Sequence, residues 1–251
     1  MYFHKKIKSI SVVIPAFNED LIIAKSITLL DNELKSMAED YEIIVVDDGS
    51  YDKTRDILSE LACKNSRLTI MRNDYNSGLG VSLRKGFNAA SKKLVFYTDA
   101  DLPIKYSEIY IAAEILEEND LDFISGFKNN NDQDPIYRIV YSAVFNYLVK
   151  ILFKVKVRDI NFAFKLLKAE TLKKLDLKSS GAFIDAEMVI KSIYLGLKFK
   201  QIPVSYFSRT EGSSCLSTPY AILKLIREII KYYPYLMQIK EKSRYGKLYY
   251  T

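Results

Sequence analysis

The chain has 251 residues, of which 49% are hydrophobic and 27% are charged. These proportions are typical of a folded globular protein and exclude a disordered, collagen-like or coiled-coil chain. Lys and Arg number 37 against 31 Asp and Glu, so the net charge is +6. The single histidine, His4, excludes a His-based catalytic triad and a multi-histidine metal site within this chain, so a metal would be held mainly by oxygen ligands.

The two cysteines, Cys63 and Cys215, are far apart and have no paired spacing. They indicate neither a disulfide framework nor a zinc site, and they favour a reducing, cytoplasmic compartment. The apolar run Ile10–Ala16 is too short for a signal sequence. Because no run of about 18 uncharged apolar residues occurs, we expect a chain that does not span a membrane.

Short β-branched runs alternate with amphipathic stretches along the first half of the chain. The pattern predicts nine elements, in this order: strand Ile10–Ile14, helix Asp20–Ala38, strand Glu42–Val46, helix Lys53–Lys64, strand Leu68–Arg72, helix Gly80–Ser91, strand Leu94–Thr98, helix Ser107–Glu118 and strand Asp122–Gly126. Such alternation is typical of an α/β fold with a mostly parallel sheet and helices on both faces. Ligands of these folds bind beyond the carboxyl ends of the strands.

Polar residues follow three of the predicted strands at those ends. The first strand runs into Pro15–Glu19 (PAFNE), the second into Asp47–Ser50 (DDGS) and the fourth into Asp99–Asp101 (DAD). The third segment carries two carboxylates that suit Mg²⁺ or Mn²⁺, although turn and helix capping would also explain them. The acids of the second segment are placed to accept hydrogen bonds from a ribose or a base, or they serve only the turn.

A glycine pair lies in Asn76–Gly80 (NSGLG), where a helix begins. Glycines at a helix entry let a backbone approach closely and can present N–H groups to an anion. They can equally serve tight packing of the helix on the sheet, since no Walker lysine follows. The pair alone does not decide between these roles.

The order of these segments resembles that of inverting nucleotide-sugar glycosyltransferases of the GT-A fold. The similarity continues through Asp159–Lys165 (DINFAFK), Phe183–Glu187 (FIDAE), Pro203-Val204 and Arg209–Ser214 (RTEGSS). With Pro203-Val204 and Arg209–Ser214 counted as one ending, the seven motifs together resemble the dolichyl-phosphate glucose and mannose synthase branch over about residues 10–215. The resemblance implies a GT-A domain over 1–215, followed by an amphipathic, basic segment over 216–251.

The resemblance implies transfer of a hexose, with inversion, from a UDP- or GDP-sugar to dolichyl or polyprenyl phosphate. Asp99 and Asp101 would hold Mg²⁺ or Mn²⁺ and act in catalysis. The residues implied to bind the nucleotide sugar are Pro15, Ala16, Asn18, Glu19, Asp47, Asp48, Gly78, Asp99 and Ala100. Those implied near the acceptor phosphate are Lys128, Arg138, Arg209 and Ser213. Two positions depart from the family pattern: Pro103 replaces a Gln of many mannose synthases, and Ala163 replaces a Gly.

The acceptor decides whether a general base is needed. A polyprenyl phosphate is already anionic, whereas a hydroxyl acceptor requires a base. Asp185 is the candidate catalytic base, and its alternative role is to cap the helix predicted over Ala186–Leu195. A hydroxyl acceptor on a glycan is therefore the main rival function.

Two further rivals belong to other classes. A nucleotidyltransferase normally has a glycine-rich loop with a basic residue after the first strand, where this chain has PAFNE. Nucleic acid is not an expected partner, because the basic residues lie among apolar and tyrosine-rich stretches rather than in a polar patch.

Two stretches combine apolar and basic residues. Within 136–157, polar side chains occur at every fourth position, Arg138, Ser142, Asn146, Lys150 and Lys154. The stretch Tyr220–Ile239 is also apolar, carries three cations and is expected to be broken by Pro234. Such helices are either largely buried or lie in a membrane interface. We expect both to bind anionic lipid, peripherally and on the cytoplasmic face.

Overall fold

The computed structural model describes residues 5–101, 104–129, 136–206 and 219–249, with side chains omitted at 136–138, 219–222 and 244–249. Seven strands form one sheet in the order β3-β2-β1-β4-β6-β5-β7. Strand β6 runs antiparallel to its neighbours β4 and β5, and the other neighbouring strands pair in parallel. The strands are β1 Ile7–Ala16, β2 Ala38–Asp47, β3 Leu68–Arg72, β4 Leu94–Thr98, β5 Phe123–Lys128, β6 Phe164–Lys168 and β7 Phe199–Val204.

Helices cover both faces of this sheet, as the alternating pattern predicts. They are α1 Ile23–Met37, α2 Thr54–Lys64, α3 Leu79–Ala89, α4 Ser107–Glu118, α5 Ile136–Phe153, α6 Ala169–Leu175, α7 Ile184–Tyr194 and α8 Pro219–Tyr249. Successive side chains of a strand point to opposite faces. In β1, Val12 therefore packs in the core under α1, α2 and α4, whereas Val13 packs under α3, α5, α7 and α8.

All nine predicted elements are present, three of them with the predicted ends (β3, β4 and α4) and six with shifted ends, and the predicted fold class is confirmed. The expected break at Pro234 is wrong, because α8 continues through this residue. Proline removes one backbone N–H and crowds the carbonyl one turn earlier. Since Pro234 lies on the exposed side of α8, water can hydrate that carbonyl. The helix predicted over 136–157 ends earlier, at Phe153.

The sheet order brings the polar segments together. Strands β1, β2, β4 and β5 run in the same direction, so their carboxyl ends lie at one edge of the sheet. β1 has β2 on one side and β4 on the other, so the chain order reverses between β1 and β4. A reversal of this kind opens a crevice at the carboxyl ends of the strands, where ligands of open α/β sheets bind.

Candidate active site

The segments that follow β1 and β2 hold each other at the crevice. The backbone N–H of Asn18 donates to Ser50 Oγ at 3.0 Å, and the N–H of Tyr51 donates to Asn18 Oδ1 at 3.1 Å. The N–H of Glu19 donates to Thr54 Oγ1 at 2.8 Å. Asn18 has a φ of 55°, in the left-handed region that Asn tolerates better than most residues. The PAFNE segment is thus fixed in one conformation by the turn after β2.

Asp48 fixes the glycine segment by hydrogen bonds to its backbone. Its Oδ1 accepts hydrogen bonds from Ser77 N and from Asn73 Nδ2, at 2.9 and 2.7 Å. Its Oδ2 accepts one from Gly78 N at 2.9 Å. Asp47, also buried, accepts a bond from the amide three residues further on at 2.9 Å. The acids of DDGS therefore shape the loops at the crevice, and the N–H groups of residues 77 and 78 are already paired.

The glycine pair packs against the segment that precedes α7. Gly78 has a φ of +97°, and a Cβ there would lie 2.7 Å from the Ser180 carbonyl oxygen. A Cβ on Gly80 would overlap the Ser179 carbonyl. The N–H of Val81 donates to Ser180 O at 3.2 Å. These glycines do allow tight packing, but their partner is the segment before α7 and not the sheet, as the packing alternative had it.

Asp185 lies in the first turn of α7 and is 2% exposed. Its side chain makes no capping bond, so the alternative role as a helix cap is wrong. The backbone N–H groups of the 178–183 segment are bonded instead to two other carboxylates, Glu187 of α7 and Glu228 of α8. Asp185 takes no part in these bonds, and its side chain forms an ion pair with Lys165.

A buried lysine on β6 lies beside Asp185. Lys165 Nζ is 3.8 Å from Asp185 Oδ1 and donates to two backbone carbonyls, those of Ile160 at 3.0 Å and Phe162 at 2.5 Å. The Tyr97 hydroxyl also favours the charged form of Asp185 and so lowers its pKa. In the sheet register Tyr97 of β4 pairs with Lys165 of β6.

Burial dominates the electrostatics of this pair. It raises the pKa of Asp185 to about 7, since the nearby Lys165 cation only partly offsets the loss of water and Asp99 adds a like charge. Burial also lowers the pKa of Lys165, against the attraction of Asp185 and its neighbours. A carboxyl group with a pKa near 7 is matched to accepting a proton at neutral pH.

Asp99 and Asp101 follow β4 at the crevice, and both are partly exposed. The described residues contain no group of three or more His, Cys, Asp or Glu side chains able to hold a metal. Mg²⁺ commonly takes one or two protein carboxylates and completes its shell with water and substrate phosphates. Two partly exposed carboxylates at a ligand-binding edge fit such a cation.

Of the residues expected near the acceptor phosphate, the structure describes the side chain of Lys128. Lys128 is the last residue of β5, at the same sheet edge. Its side-chain ammonium lies 3.9 Å from the Tyr206 ring centroid, and its backbone N–H donates to Asp159 Oδ2 at 3.3 Å. The side chain of Arg138 lies outside the described residues, as do Arg209 and Ser213. Their assignment to a phosphate stays a prediction.

Residues 11–176 match the family model described as "Glycosyl transferase family 2". The chain belongs to this family. It is therefore a glycosyltransferase, and the family indicated by the ordered motifs is confirmed.

Two relatives of this family 2 glycosyltransferase differ from it in length. Glycosyltransferase AglD of Haloferax volcanii is 28% identical over 204 residues, covering 78% of this chain and 33% of that protein. Dodecaprenyl-phosphate galacturonate synthase of Rhizobium johnstonii is 25% identical over 244 residues, covering 96% of this chain and 70% of that protein. The chain thus spans about a third of AglD.

Solved structures share the fold of this glycosyltransferase. Glucosyl-3-phosphoglycerate synthase from Mycobacterium tuberculosis in complex with UDP superposes with a TM-score of 0.68 at 18% identity, covering 90% of this chain and 80% of that one. Its complex with Mn²⁺, UDP-glucose and phosphoglyceric acid gives 0.66 at 16% identity, with the same coverage. The likeness confirms the GT-A fold.

Three residues near the crevice were given no role from the sequence: Tyr97, Glu228 and Lys165, the last of which appeared only as the end of the DINFAFK motif. Lys165 carries a usable signal, because it is a charged residue inside the otherwise apolar run Phe164–Leu167. A lysine fully buried in a strand needs partners, and such a position is a candidate for a site. Glu228 gave no signal, since a carboxylate is ordinary on an amphipathic helix.

Proposed function

We propose that this glycosyltransferase moves a hexose from a UDP- or GDP-sugar to the phosphate of a polyprenyl or dolichyl lipid, with inversion at the anomeric carbon. The observation that carries the proposal is the crevice where the loops of Asn18 and Asp48 meet Asp99 and Asp101. The name of the Rhizobium relative, a dodecaprenyl-phosphate galacturonate synthase, supports a lipid phosphate as acceptor.

The chemistry follows from the residues at the crevice. Asp99 and Asp101 would hold Mg²⁺ or Mn²⁺, which when bound neutralises charge on the departing nucleoside diphosphate. The fixed loops at Asn18 and Asp48 orient the donor, so that its anomeric carbon faces the acceptor. Direct attack by the acceptor phosphate forms the new bond as the bond to the diphosphate breaks, which inverts the configuration. The attacking phosphate is already an anion and needs no base.

A donor panel tests this function directly. The protein is incubated with Mg²⁺ or Mn²⁺, a polyprenyl phosphate in membranes and labelled UDP- and GDP-hexoses. We expect label to enter the organic phase with one donor class and a divalent cation, and to remain aqueous when the cation is chelated. Transfer of label only to water-soluble products would contradict the lipid acceptor.

A hydroxyl acceptor is the second candidate, favoured by one observation. Asp185 is buried and has a pKa raised to about 7, which suits a general base at neutral pH. With a phosphate acceptor, Asp185→Asn is expected to retain much of the transfer rate, because no proton must be removed.

A hydroxyl acceptor with Asp185 as base predicts instead a loss of about 100-fold or more in kcat for Asp185→Asn. Asp56→Asn, on the exposed surface of α2, is the matched control. Rates are compared at a temperature where all three proteins are folded by circular dichroism.

We propose further that α5 and α8 rest on a membrane surface. The outer side of α5 exposes Val144, Tyr147 and Ile151 by more than half, whereas Phe145 and Val149 face the core. Its polar stripe points partly inward, since Asn146 Oδ1 accepts a hydrogen bond from Ile160 N at 2.9 Å. An apolar outer face is the reverse of what water favours on a helix and suits a lipid interface.

Positive charge accompanies this apolar face. A cavity of about 380 Å³ near the end of α5 is lined by Lys150, Lys156 and Arg158, together with Phe127, Val157 and Gln201. On α8 the cations Lys224, Arg227 and Lys231 alternate with exposed apolar residues. No helix in the described part of the chain has the length and hydrophobicity needed to cross a bilayer.

Substituting the apolar face is expected to weaken vesicle binding. Val144→Ser with Ile151→Ser removes apolar area that lipid would cover, so we expect at least about a tenfold lower partition onto anionic liposomes at low salt. Leu29→Ser, an exposed position on α1 at the opposite face, is the control. Equal sedimentation of all three proteins with the vesicles would contradict this membrane face.

A further inference from the structure

Helix α8 has two faces with different contacts. Its outer face exposes Leu223, Ile226 and Ile230, the last of them by 67%. Its inner face carries Glu228, Tyr232 and Tyr235, which are spaced by four and three residues and so lie on one side of a helix. All three inner side chains contact α7 or the 178–183 segment before it.

Glu228 binds the start of α7. Its Oε1 accepts a hydrogen bond from Gly181 N at 2.7 Å, and its Oε2 accepts one from Phe183 N at 3.1 Å. Glu228 is 8% exposed, and a Cβ on Gly181 would lie 2.6 Å from Oε2. N–H groups at a helix start lack partners within their own helix, and a negative charge there also interacts favourably with the helix dipole. Glu228 therefore holds, from another helix, the N-cap residue of α7 and the turn that precedes it.

The two tyrosines extend this contact. The Tyr232 ring stacks on Phe183 with centroids 6.1 Å apart and planes 6° apart, and its hydroxyl donates to Lys178 O at 3.1 Å. Lys191 Nζ, near the end of α7, donates to the Tyr235 hydroxyl at 2.9 Å. The inner face of α8 thus holds α7 along its length.

The segment fixed by α8 forms one wall of the crevice. Its carbonyls at 179 and 180 pack on Gly78 and Gly80, and α7 carries Asp185, whose carboxyl group is influenced by the charge of Asp99. We propose that Glu228 is a positioning residue for sugar transfer: it fixes the α7 wall of the site, and it does so from the helix whose outer face meets lipid. The inference rests on the proposed function for its reaction and its membrane.

A split between kcat and KM distinguishes positioning from general stabilisation. The glycine segment has its own anchor in Asp48, whereas the amides of 181 and 183 both depend on Glu228. Glu228→Gln keeps the shape and one acceptor oxygen but turns an NH₂ group towards an N–H donor. We expect kcat to fall at least about tenfold, since a misplacement of about 1 Å can cost 100-fold. The KM for the donor should stay within about threefold because the nucleotide loop is held independently.

The controls keep the proposal falsifiable. Glu241→Gln makes the same change at an exposed site of α8 and should leave kcat, KM and vesicle binding unchanged. Glu228→Ala should lose more kcat than Glu228→Gln, and both variants should bind vesicles like the wild type. Equal kcat in the Glu228 variants and the wild type overturns the proposal. A fall in kcat that only follows the unfolded fraction, measured by thermal melting, overturns it as well.

A second readout separates this inference from the proposed function. Hydrogen exchange of the 181 and 183 amides is expected to accelerate in Glu228→Gln, and hydrolysis of the nucleotide sugar by water is expected to slow like transfer. If the wild type transfers no sugar to lipid phosphate, the proposed acceptor is wrong. The rates of nucleotide-sugar hydrolysis in the wild type and Glu228→Gln still test whether Glu228 is a positioning residue. Unchanged exchange and unchanged hydrolysis would show that Glu228 positions nothing.

Discussion

Replacing Asp101 with Asn is expected to reduce sugar transfer by about 1,000-fold or more. The neutral amide can neither balance a divalent cation nor support its effect on the leaving diphosphate. Such charge stabilisation contributes several kcal/mol to a transition state, and each 1.36 kcal/mol corresponds to a factor of ten in rate. Asp101 is only partly buried, so its replacement should leave the fold intact.

The measurement pairs labelled transfer with a binding readout. Mn²⁺ binding in the presence of a nucleoside diphosphate, followed by electron paramagnetic resonance, should weaken in Asp101→Asn. Circular dichroism and the melting temperature should match those of the wild type. Asp56→Asn, at an exposed position on α2, should leave both activity and Mn²⁺ binding unchanged. Full transfer activity in Asp101→Asn would refute a metal role for this carboxylate.

The sheet and the crevice could be predicted because their signals are local. β-branched runs such as Glu42–Val46 alternate with helical stretches, and in a parallel sheet the strand ends must share an edge. The polar residues after β1, β2 and β4 were therefore expected to lie near one another. The contacts of these residues were harder to predict from the sequence. Both carboxylate oxygens of Asp48 accept hydrogen bonds from a loop that lies 25 to 30 residues further along the chain.

The second half of the site depends on contacts that a linear pattern does not contain. Strand β6 was missed because Lys165 interrupts its apolar run, although this lysine is fully buried. Capping of α7 was the alternative role considered for Asp185, a nearby acid in sequence, whereas the carboxylate that binds the Gly181 and Phe183 amides belongs to Glu228. Proximity along the chain predicts a cap well only when the helix supplies its own, and here a distant helix supplies it.

Substituting Lys165 with Met is expected to cause the largest loss of stability in the site. The change removes the cation beside Asp185 and two hydrogen bonds to backbone carbonyls, all in a region without water access. Removing one partner of a buried pair costs about 3–5 kcal/mol, because the other group keeps its desolvation penalty. For a chain of this size each kcal/mol lowers the melting temperature by about 2–4 °C. Thermal and urea unfolding measure the loss.

A double-mutant cycle shows whether Asp185 is the group that makes Lys165 necessary. If the cation serves Asp185, then Lys165→Met should cost less in an Asp185→Asn background, with a coupling energy of about 1–3 kcal/mol. Additive losses would mean that Lys165 acts only through the carbonyls of Ile160 and Phe162. Lys200→Met, on the exposed side of β7, makes the same chemical change and should shift stability by less than about 0.5 kcal/mol. A substantial coupling would mean that one charge-balanced pair, Lys165 and Asp185, joins β6 to the start of α7.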